Sequence, residues 1–305
     1  MSFDFERWRL DQLLQVEKAL ERLIDAHSPA GLGQAMRYGV LGGGKRLRAL
    51  LVLAASDAVG GHAQAALLAA CAVEMIHAYS LIHDDMPCMD NDVLRRGKPT
   101  VHVAFGEAQA LLAGDALQAL AFEVLTPDAA AVANDADIPS AVQAKLCRLL
   151  ARASGAFGMA GGQAIDLASV GQHLSETQLR QMHQLKTGAL LQASVDMGCA
   201  CALPASHSPS SLAAGLSKYG AAMGLAFQVV DDILDVTADA VTLGKTAGKD
   251  AQQNKPTYVA LMGLDAAEKY ADDLLHQSLA ALDGCALAND VALRELAIRL
   301  VRRQS

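Results

Sequence analysis

The chain has 305 residues, enough for one large domain or two small ones with a sizeable buried core. It is 52% hydrophobic but only 4% aromatic, with alanine and leucine dominating long segments, a balance that favours helix over sheet. A net charge of -8 argues against a nucleic-acid footprint, so an anionic ligand has to be held by local cations and not by the overall field.

From Phe3 to Ala26, Leu10, Leu13, Leu14, Leu20, Leu23 and Ile24 recur at helical spacing among charges, which predicts an amphipathic helix ended by Ser28-Pro29-Ala30-Gly31. Met1 to Leu14 mixes acids and bases without a central apolar stretch, so it reads as neither a secretory signal nor a transit peptide, and the expected location is the cytoplasm. The next helix is expected to begin near Tyr38-Gly39 and to run through Gly42-Gly43-Gly44-Lys45-Arg46-Leu47-Arg48 to Ala58. Its glycines would let backbone N–H groups approach a phosphate, with Lys45 and Arg48 sharing a face. A Gly-rich connection followed by solvated basic residues is the plainer reading of the same run. The spacing is not that of a Walker loop.

Ala63 to Met86 reads as a long, almost wholly apolar helix, hence central in a bundle. Among its polar exceptions, His77 and Asp84 lie two helical turns apart on one stripe, with Ser80 and Leu81 between them. The stretch Asp84-Asp85-Met86-Pro87-Cys88-Met89-Asp90-Asn91-Asp92 then packs four carboxylates into nine positions, and Leu94-Arg95-Arg96-Gly97 comes directly after. Such charges repel by about 4 kcal/mol per close pair at an effective dielectric of roughly 20, so a fold that gathers them needs cations. Mg2+ fits, because it takes hard oxygen ligands and usually binds through one or two carboxylates plus substrate phosphate. Arg95 and Arg96 have the fork geometry to grip that phosphate. Pro87 should end the helix and fold Asp90 and Asp92 back toward Asp84.

Thr100 to Leu125 predicts one or two helices, with Gly114-Asp115 interrupting the apolar face. Its segment Ala108 to Leu125 is the best candidate for a membrane span, and Asp115 and Glu123 keep it short of the roughly 18 apolar residues required. Thr126 to Pro139 reads as an inter-helix loop, and Ala141 to Gly158 as helix again. Gln163 and Asp166 then lie one turn apart, either on an inward polar edge or at an exposed turn. Ser175 opens a helix with a capping-box signature completed by Gln178. That helix carries Lys186-Thr187-Gly188, where a lysine in an apolar run needs a partner or an anion.

After a Pro/Ser loop from Leu203 to Ser211, Leu212 to Asp235 predicts a long helix ending in Asp231-Asp232-Ile233-Leu234-Asp235, its three carboxylates expected on one side. This second acidic cluster repeats the organisation of the first. Thr237 to Pro256, rich in lysine and glycine, has the make-up of a lid that closes cations over a charged ligand. Six cysteines show no CxxC or zinc spacing and are expected to be reduced and mostly buried. The fold class expected is all-α, as one domain over residues 1–305.

Two carboxylate clusters and three basic groups (Lys45/Arg48, Arg95/Arg96 and Lys186/Lys245/Lys255) suit a phosphorylated ligand clamped through metal, and the apolar helix walls suit a lipid-like diphosphate. The motifs resemble those of the short-chain trans-prenyltransferases, most closely the bacterial farnesyl diphosphate synthases. Asp84-Asp85 with Asp90 is similar to the first aspartate-rich motif of that family, in the form with two extra residues, here Pro87-Cys88. Asp231-Asp232-Ile233-Leu234-Asp235 is similar to the second. The Gly-Gly-Gly-Lys-Arg-Leu-Arg run, Arg95-Arg96-Gly97, Gly161-Gly162-Gln163, Lys186-Thr187, Phe227-Gln228 and Gly244-Lys245-Thr246 fall in the family's order.

The resemblance implies a single large helical bundle of isoprenoid-synthase type around a central cavity. It also implies a homodimer without a membrane span, and three Mg2+ ions bridging an allylic diphosphate to the two acidic helices. Asp84 and Asp90 would bind two of the ions and Asp231 the third, with Asp85, Asp232, Asp235, Gln163 and Asp166 in support. Arg95, Lys186 and Lys245 would hold the allylic diphosphate. Isopentenyl diphosphate would lie against Gly44, Lys45, Arg48, His77 and Arg96. Thr187 and Gln228 would present dipoles to the cationic centre, and Lys255 would belong to the lid.

The implied reaction ionises dimethylallyl or geranyl diphosphate, adds the isopentenyl alkene and loses a proton to the released diphosphate, with no protein general base. Tyr79 and Ser80, fifth and fourth before Asp84, would floor the chain pocket and stop growth at C15. A geranyl or geranylgeranyl diphosphate synthase, a terpene cyclase and a silent subunit of a heteromeric prenyl synthase are the other readings. The intact second acidic motif and the Lys45/Arg48 site stand against the last two. Asn91 departs from the acid that relatives often carry, and Asn254 from the glycine that often precedes the lid lysine. Arg302-Arg303 is expected either to cover the isopentenyl site or to hang free.

Overall fold

The computed structural model describes residues 3–127, 138–172, 174–202, 210–237 and 257–303, and every structural statement below concerns those residues. Lys245, Asn254, Lys255 and the expected lid over 238–256 lie outside them.

The described chain is helical almost throughout. Helix α1 (Phe5–Leu23) starts where the Asp4 carboxylate accepts the Arg7 N–H at 3.1 Å. After it come α2 (Leu32–Val40) and α3 (Leu47–Ala58). The single helix expected from Tyr38 to Ala58 is therefore two helices. Gly43, Gly44 and Arg46 all take positive φ, which no α-helix accommodates, so residues 41–46 form a turn that delivers the chain into α3.

Helix α4 (Ala63–Asp84) is central, and a minimal antiparallel hairpin, β1 (Leu94–Arg95) and β2 (Lys98–Pro99), lies beyond it in the chain. α5 (Val101–Phe105) and α6 (Glu107–Glu123) come next, and α6 runs unbroken through Gly114. Then come α7 (Ser140–Ser154), α8 (Met159–Ala168) and α9 (Glu176–His183), the last opened by the expected capping box of Ser175 and Gln178. One π-helical turn over Gln184–Gly188 joins α9 to α10 (Ala189–Ala200). α11 (Ser210–Thr237), α12 (Tyr258–Met262), α13 (Leu264–Asp283) and α14 (Val291–Val301) complete the described bundle.

Two apolar cores lie side by side and share α3 and α10. Val52 and Leu190 face the first core, with α4, α6 and α7, while Leu51 and Leu191 face the second, with α11, α13 and α14. Alternate stripes of α3 and α10 thus bind the halves into one body. Among the described residues the helix long and apolar enough to cross a membrane is α4, where the sequence pointed to 108–125 as the best candidate and to none that qualified, and 72% of its most apolar window is buried inside the bundle. No described cysteine is in a disulfide: Cys71 and Cys201 are buried, which pushes both thiols up to about 12, and Cys88 is exposed.

Candidate active site

The first acidic motif sits where α4 ends. Beyond Asp84 the chain turns back: the Asp90 N–H donates to the Asp84 carbonyl at 2.9 Å, and the Asp92 N–H to the Asp85 carbonyl at 3.1 Å. This is the fold-back expected from Pro87. Asn91 closes it at φ 51, a left-handed conformation that asparagine tolerates better than most residues. Burial pushes the Asp84 carboxyl up to about 6, helped by Asp90 and Asp85 and opposed by Lys186 and Arg95. Asp85 is buried and gripped by Arg95, whose Nε lies 2.8 Å from Oδ2 and whose terminal nitrogen lies 2.6 Å from Oδ1. Both residues, expected at metal and diphosphate, here hold each other and tie the hairpin to α4.

The basic run divides its labour. Arg46 is buried, and it pairs with Glu17 at 2.7 Å and with Glu74 at 3.3 Å while donating to the Val40 carbonyl at 2.7 Å. Glu74 also accepts the Ala49 N–H at 3.2 Å, capping α3 from the side. Neither Arg46 nor Glu74 stood out in the sequence, although a lone carboxylate inside the apolar run of α4 was the available signal. With Arg46 anchored, Lys45 is left exposed and Arg48 turns inward. Arg48 Nε makes no hydrogen bond to a described residue, and burial lowers its pKa, with Glu74 and Asp231 opposing that only in part. Arg96, at φ 52, donates to the Gly43 carbonyl and covers Gly44.

The opposite wall comes from α8, the π turn and α11. Gly162 lets the backbone at Lys186 approach α8 so closely that any side chain there would collide with it. Lys186 Nζ meets the Asp166 carboxylate at 2.5 Å, which supplies the partner its apolar run required. Both polar atoms of the Gln163 amide are buried without a hydrogen-bond partner among the described residues. The Thr187 hydroxyl donates to Gln228 Oε1 at 3.2 Å, and Gln228 Nε2 donates to Asp232 at 2.9 Å. Asp232 also accepts the Tyr258 N–H at 2.8 Å, whereas Asp231 pairs with Arg303. The second motif therefore does not present its carboxylates to one side as expected: Asp232 is buried against the start of α12, and Asp231, one position earlier, is partly exposed and taken by Arg303.

A cavity of about 380 Å³ collects Arg48, His77, Asp84, Gln163, Lys186 and Thr187, together with Tyr79, Ser80, Met159, Ala164 and Leu167. An adjoining small cleft is lined by Arg46, Asp85, Arg95 and Arg96, and His77 lines both spaces. Burial, with Arg48, Arg96 and Arg95 nearby, holds His77 well below its ordinary range and hence neutral. Lys45 and Gly44 line neither space. Among the described residues no three carboxylates, imidazoles or thiols converge into a ready-made metal cage. Carboxylates on two helix ends, beside cations and orphaned amide and guanidinium atoms, suit an ion that takes its remaining ligands from a phosphate.

The comparisons with known proteins agree with this geometry. The polyprenyl synthetase profile matches residues 29–288. The chain is 50% identical over 272 residues to a probable farnesyl diphosphate synthase of Sinorhizobium fredii, covering 88% of this chain and 80% of that one. It is 48% identical over 298 residues to the farnesyl diphosphate synthase of Escherichia coli, covering 95% of both. Among solved structures, a geranyltransferase from Helicobacter pylori complexed with magnesium and isoprenyl diphosphate superposes with a TM-score of 0.81 at 34% identity, over 99% of this chain and 97% of that one. With the family match over residues 29–288 and relatives at 48 and 50% identity over most of both chains, the chain belongs to the polyprenyl synthetase family.

Proposed function

We propose that this chain condenses isopentenyl diphosphate head-to-tail with dimethylallyl and then geranyl diphosphate, giving farnesyl diphosphate and free diphosphate. The observation that carries the reading is the lining of one cavity, in which Asp84, Arg48 and Lys186 share the space with Tyr79, Ala164, Met159 and Leu167. A charged head and a hydrocarbon tail are the two halves of an allylic diphosphate. The relatives at 48% and 50% identity support the same substrate class.

Mg2+, when bound, neutralises charge on the departing diphosphate. Asp84 and Asp90 would hold two such ions and Asp231 a third, with Asp235 in support, while Asp85 keeps Arg95 in place and Asp232 holds Gln228 and the Tyr258 N–H. Lys186 is positioned by Asp166 to donate to that diphosphate, a charge-assisted bond worth about 1.5 to 3 kcal/mol. Thr187 and Gln228, linked by a hydrogen bond, turn dipoles toward the cationic carbon. Arg48, neutral His77 and Arg96 are placed for isopentenyl diphosphate, with the exposed Lys45 swinging in from the rim. The proton lost after carbon–carbon bond formation leaves with the diphosphate.

Tyr79 beside Ser80 supports a C15 stop, with a geranylgeranyl product as the alternative. We further propose that all 305 residues form one cytoplasmic domain that pairs with a second copy through α5 and α6, where Val103, Leu111 and Leu112 are 47 to 52% exposed. The burial of α4 supports a protein without a membrane span. Purified protein given Mg2+, isopentenyl diphosphate and dimethylallyl diphosphate should yield C15 alcohols after phosphatase treatment; no product at all would sink the assignment. Farnesyl diphosphate given alone should remain unchanged, which separates this reading from a cyclase. Light scattering should report a dimer.

A further inference from the structure

Resting on the reading above, we infer that the depth of the prenyl pocket is set from behind by α6, through Leu111, Gly114 and Gln118, which act as positioning residues for Tyr79. The geometry begins on α4, where Tyr79 and His83 stand one turn apart and meet edge to face, with ring centroids 5.7 Å apart at 76°. Both rings line the cavity. Neither is held by α4 itself.

The His83 imidazole lies directly against Gly114 of α6, and an added methyl at Gly114 would occupy the space of the ring. His83 Nε2 is 3.1 Å from the Leu111 carbonyl. A carbonyl only accepts, so Nε2 carries the proton and the ring is fixed in both position and tautomer. One turn beyond Gly114, the Gln118 side chain stands near the Tyr79 hydroxyl and works against the rise that burial imposes on its pKa. Residues 111, 114 and 118 form one stripe of a helix, so a single face of α6 fixes two neighbouring rings of α4. This also explains why α6 carries a glycine mid-helix without a break: its backbone is ordinary there, and only a hydrogen leaves room for the imidazole.

A floor built this way responds to residues that touch no substrate. Filling Gly114 drives His83 and Tyr79 into the cavity and shortens the space. Removing the Gln118 amide beside the Tyr79 hydroxyl gives the ring room to swing and lengthens it. Gly114→Ala should accumulate C10 and lower kcat/KM for geranyl diphosphate about tenfold relative to dimethylallyl diphosphate, the scale of one misplaced methylene or methyl in an apolar pocket. His83→Ala placed in the Gly114→Ala background removes the ring that the methyl strikes, so it should restore geranyl use. Gln118→Leu, at an exposed position that folding tolerates, should raise the share of C20.

The same variants are to be titrated with dimethylallyl and geranyl S-thiolodiphosphates and Mg2+ by calorimetry, reading the ratio of the two affinities without turnover. If wild type proves inactive, the condensation reading falls while this ratio still decides the inference. An equal fall for both tail lengths in Gly114→Ala, no restoration in the double variant, or wild-type products and ratios from Gln118→Leu would each overturn it.

Discussion

Arg303, just beyond α14, is ion-paired with Asp231 of α11, donates to the Phe227 carbonyl at 3.3 Å and lays its guanidinium over the Phe227 ring at 4.7 Å. The tail was expected either to cover the isopentenyl site or to hang free; its Arg303 is held against α11. It sits on the carboxylate proposed to hold a metal ion on the second motif. The protein thereby carries its own cation at that position.

Removing that cation should ease metal binding. Asp231 is more than a third exposed, so the pair is worth about 1 kcal/mol after screening by solvent. Arg303→Met should lower the Mg2+ concentration for half-maximal binding of inorganic pyrophosphate about fivefold, measured by calorimetry. An unchanged or weaker Mg2+ dependence would contradict the competition.

The first motif should separate by role. Asp85→Ala strands Arg95 in a half-buried site and should cost about 2 kcal/mol of stability, reduced from the buried-pair range because Arg95 is partly exposed. Asp90→Ala should keep the unfolding temperature within about 2 °C of wild type. It should nevertheless lower condensation by at least about a hundredfold if its carboxylate binds an ion. Thermal melts and steady-state rates on the two variants test the division.

Glu74→Ala leaves the Arg46 guanidinium buried without its interior partner, at a cost of about 3 to 5 kcal/mol. Because the pair shapes the turn before α3, the KM for isopentenyl diphosphate should rise more than that for geranyl diphosphate. Equal increases would assign Glu74 to general stability only.

Product length should respond directly at the floor. Tyr79→Ala should shift output toward C20 and Ser80→Phe toward C10, read by chromatography of the dephosphorylated products. Unchanged C15 output from Tyr79→Ala would remove that residue from the floor.

The pH dependence of stability has one isolated contributor. Burial raises the Asp196 carboxyl from its ordinary 3.8 to about 6, against the Ser217 hydroxyl at 3.4 Å and the charge of Lys145. Between those two values the native state binds more protons than the unfolded chain, so the Asp196 contribution to stability falls as pH rises and is lowest above about 6. Asp196→Asn should flatten this slope and gain about 1 to 2 kcal/mol at pH 7, checked by urea melts of both proteins at pH 4.5 and 7.

Both acidic motifs, the capping box at Ser175, the fold-back after Pro87 and the need of Lys186 for a partner were legible in the sequence, because each comes from local spacing or from one residue's chemistry. Arg46 was not: in GGGKRLR it looks like its neighbours, and only a carboxylate 28 residues onward makes it structural. The Arg303–Asp231 contact spans 72 residues, and the His83–Leu111 contact spans 28. Such pairings are set by how helices cross, which hydrophobic periodicity does not encode. The expected single face for the second motif failed for a simpler reason: adjacent helical positions point about 100° apart, and Asp232 found a buried partner in the Tyr258 N–H.

The π-helical turn at Gln184–Gly188 gives the cavity wall an unusual vulnerability. A π turn holds one more residue than the α turn it replaces, so it behaves as an insertion that the fold has kept. Deleting any one residue of the five would let the helix close into regular α form and would rotate the helix on one side of the cut against the other side by about 100°. Lys186 and Thr187 could not then both keep their partners, Asp166 on α8 and Gln228 on α11. At this wall the chemistry depends on a residue count as much as on residue identity, so a one-residue deletion here should be harder to tolerate than most substitutions nearby.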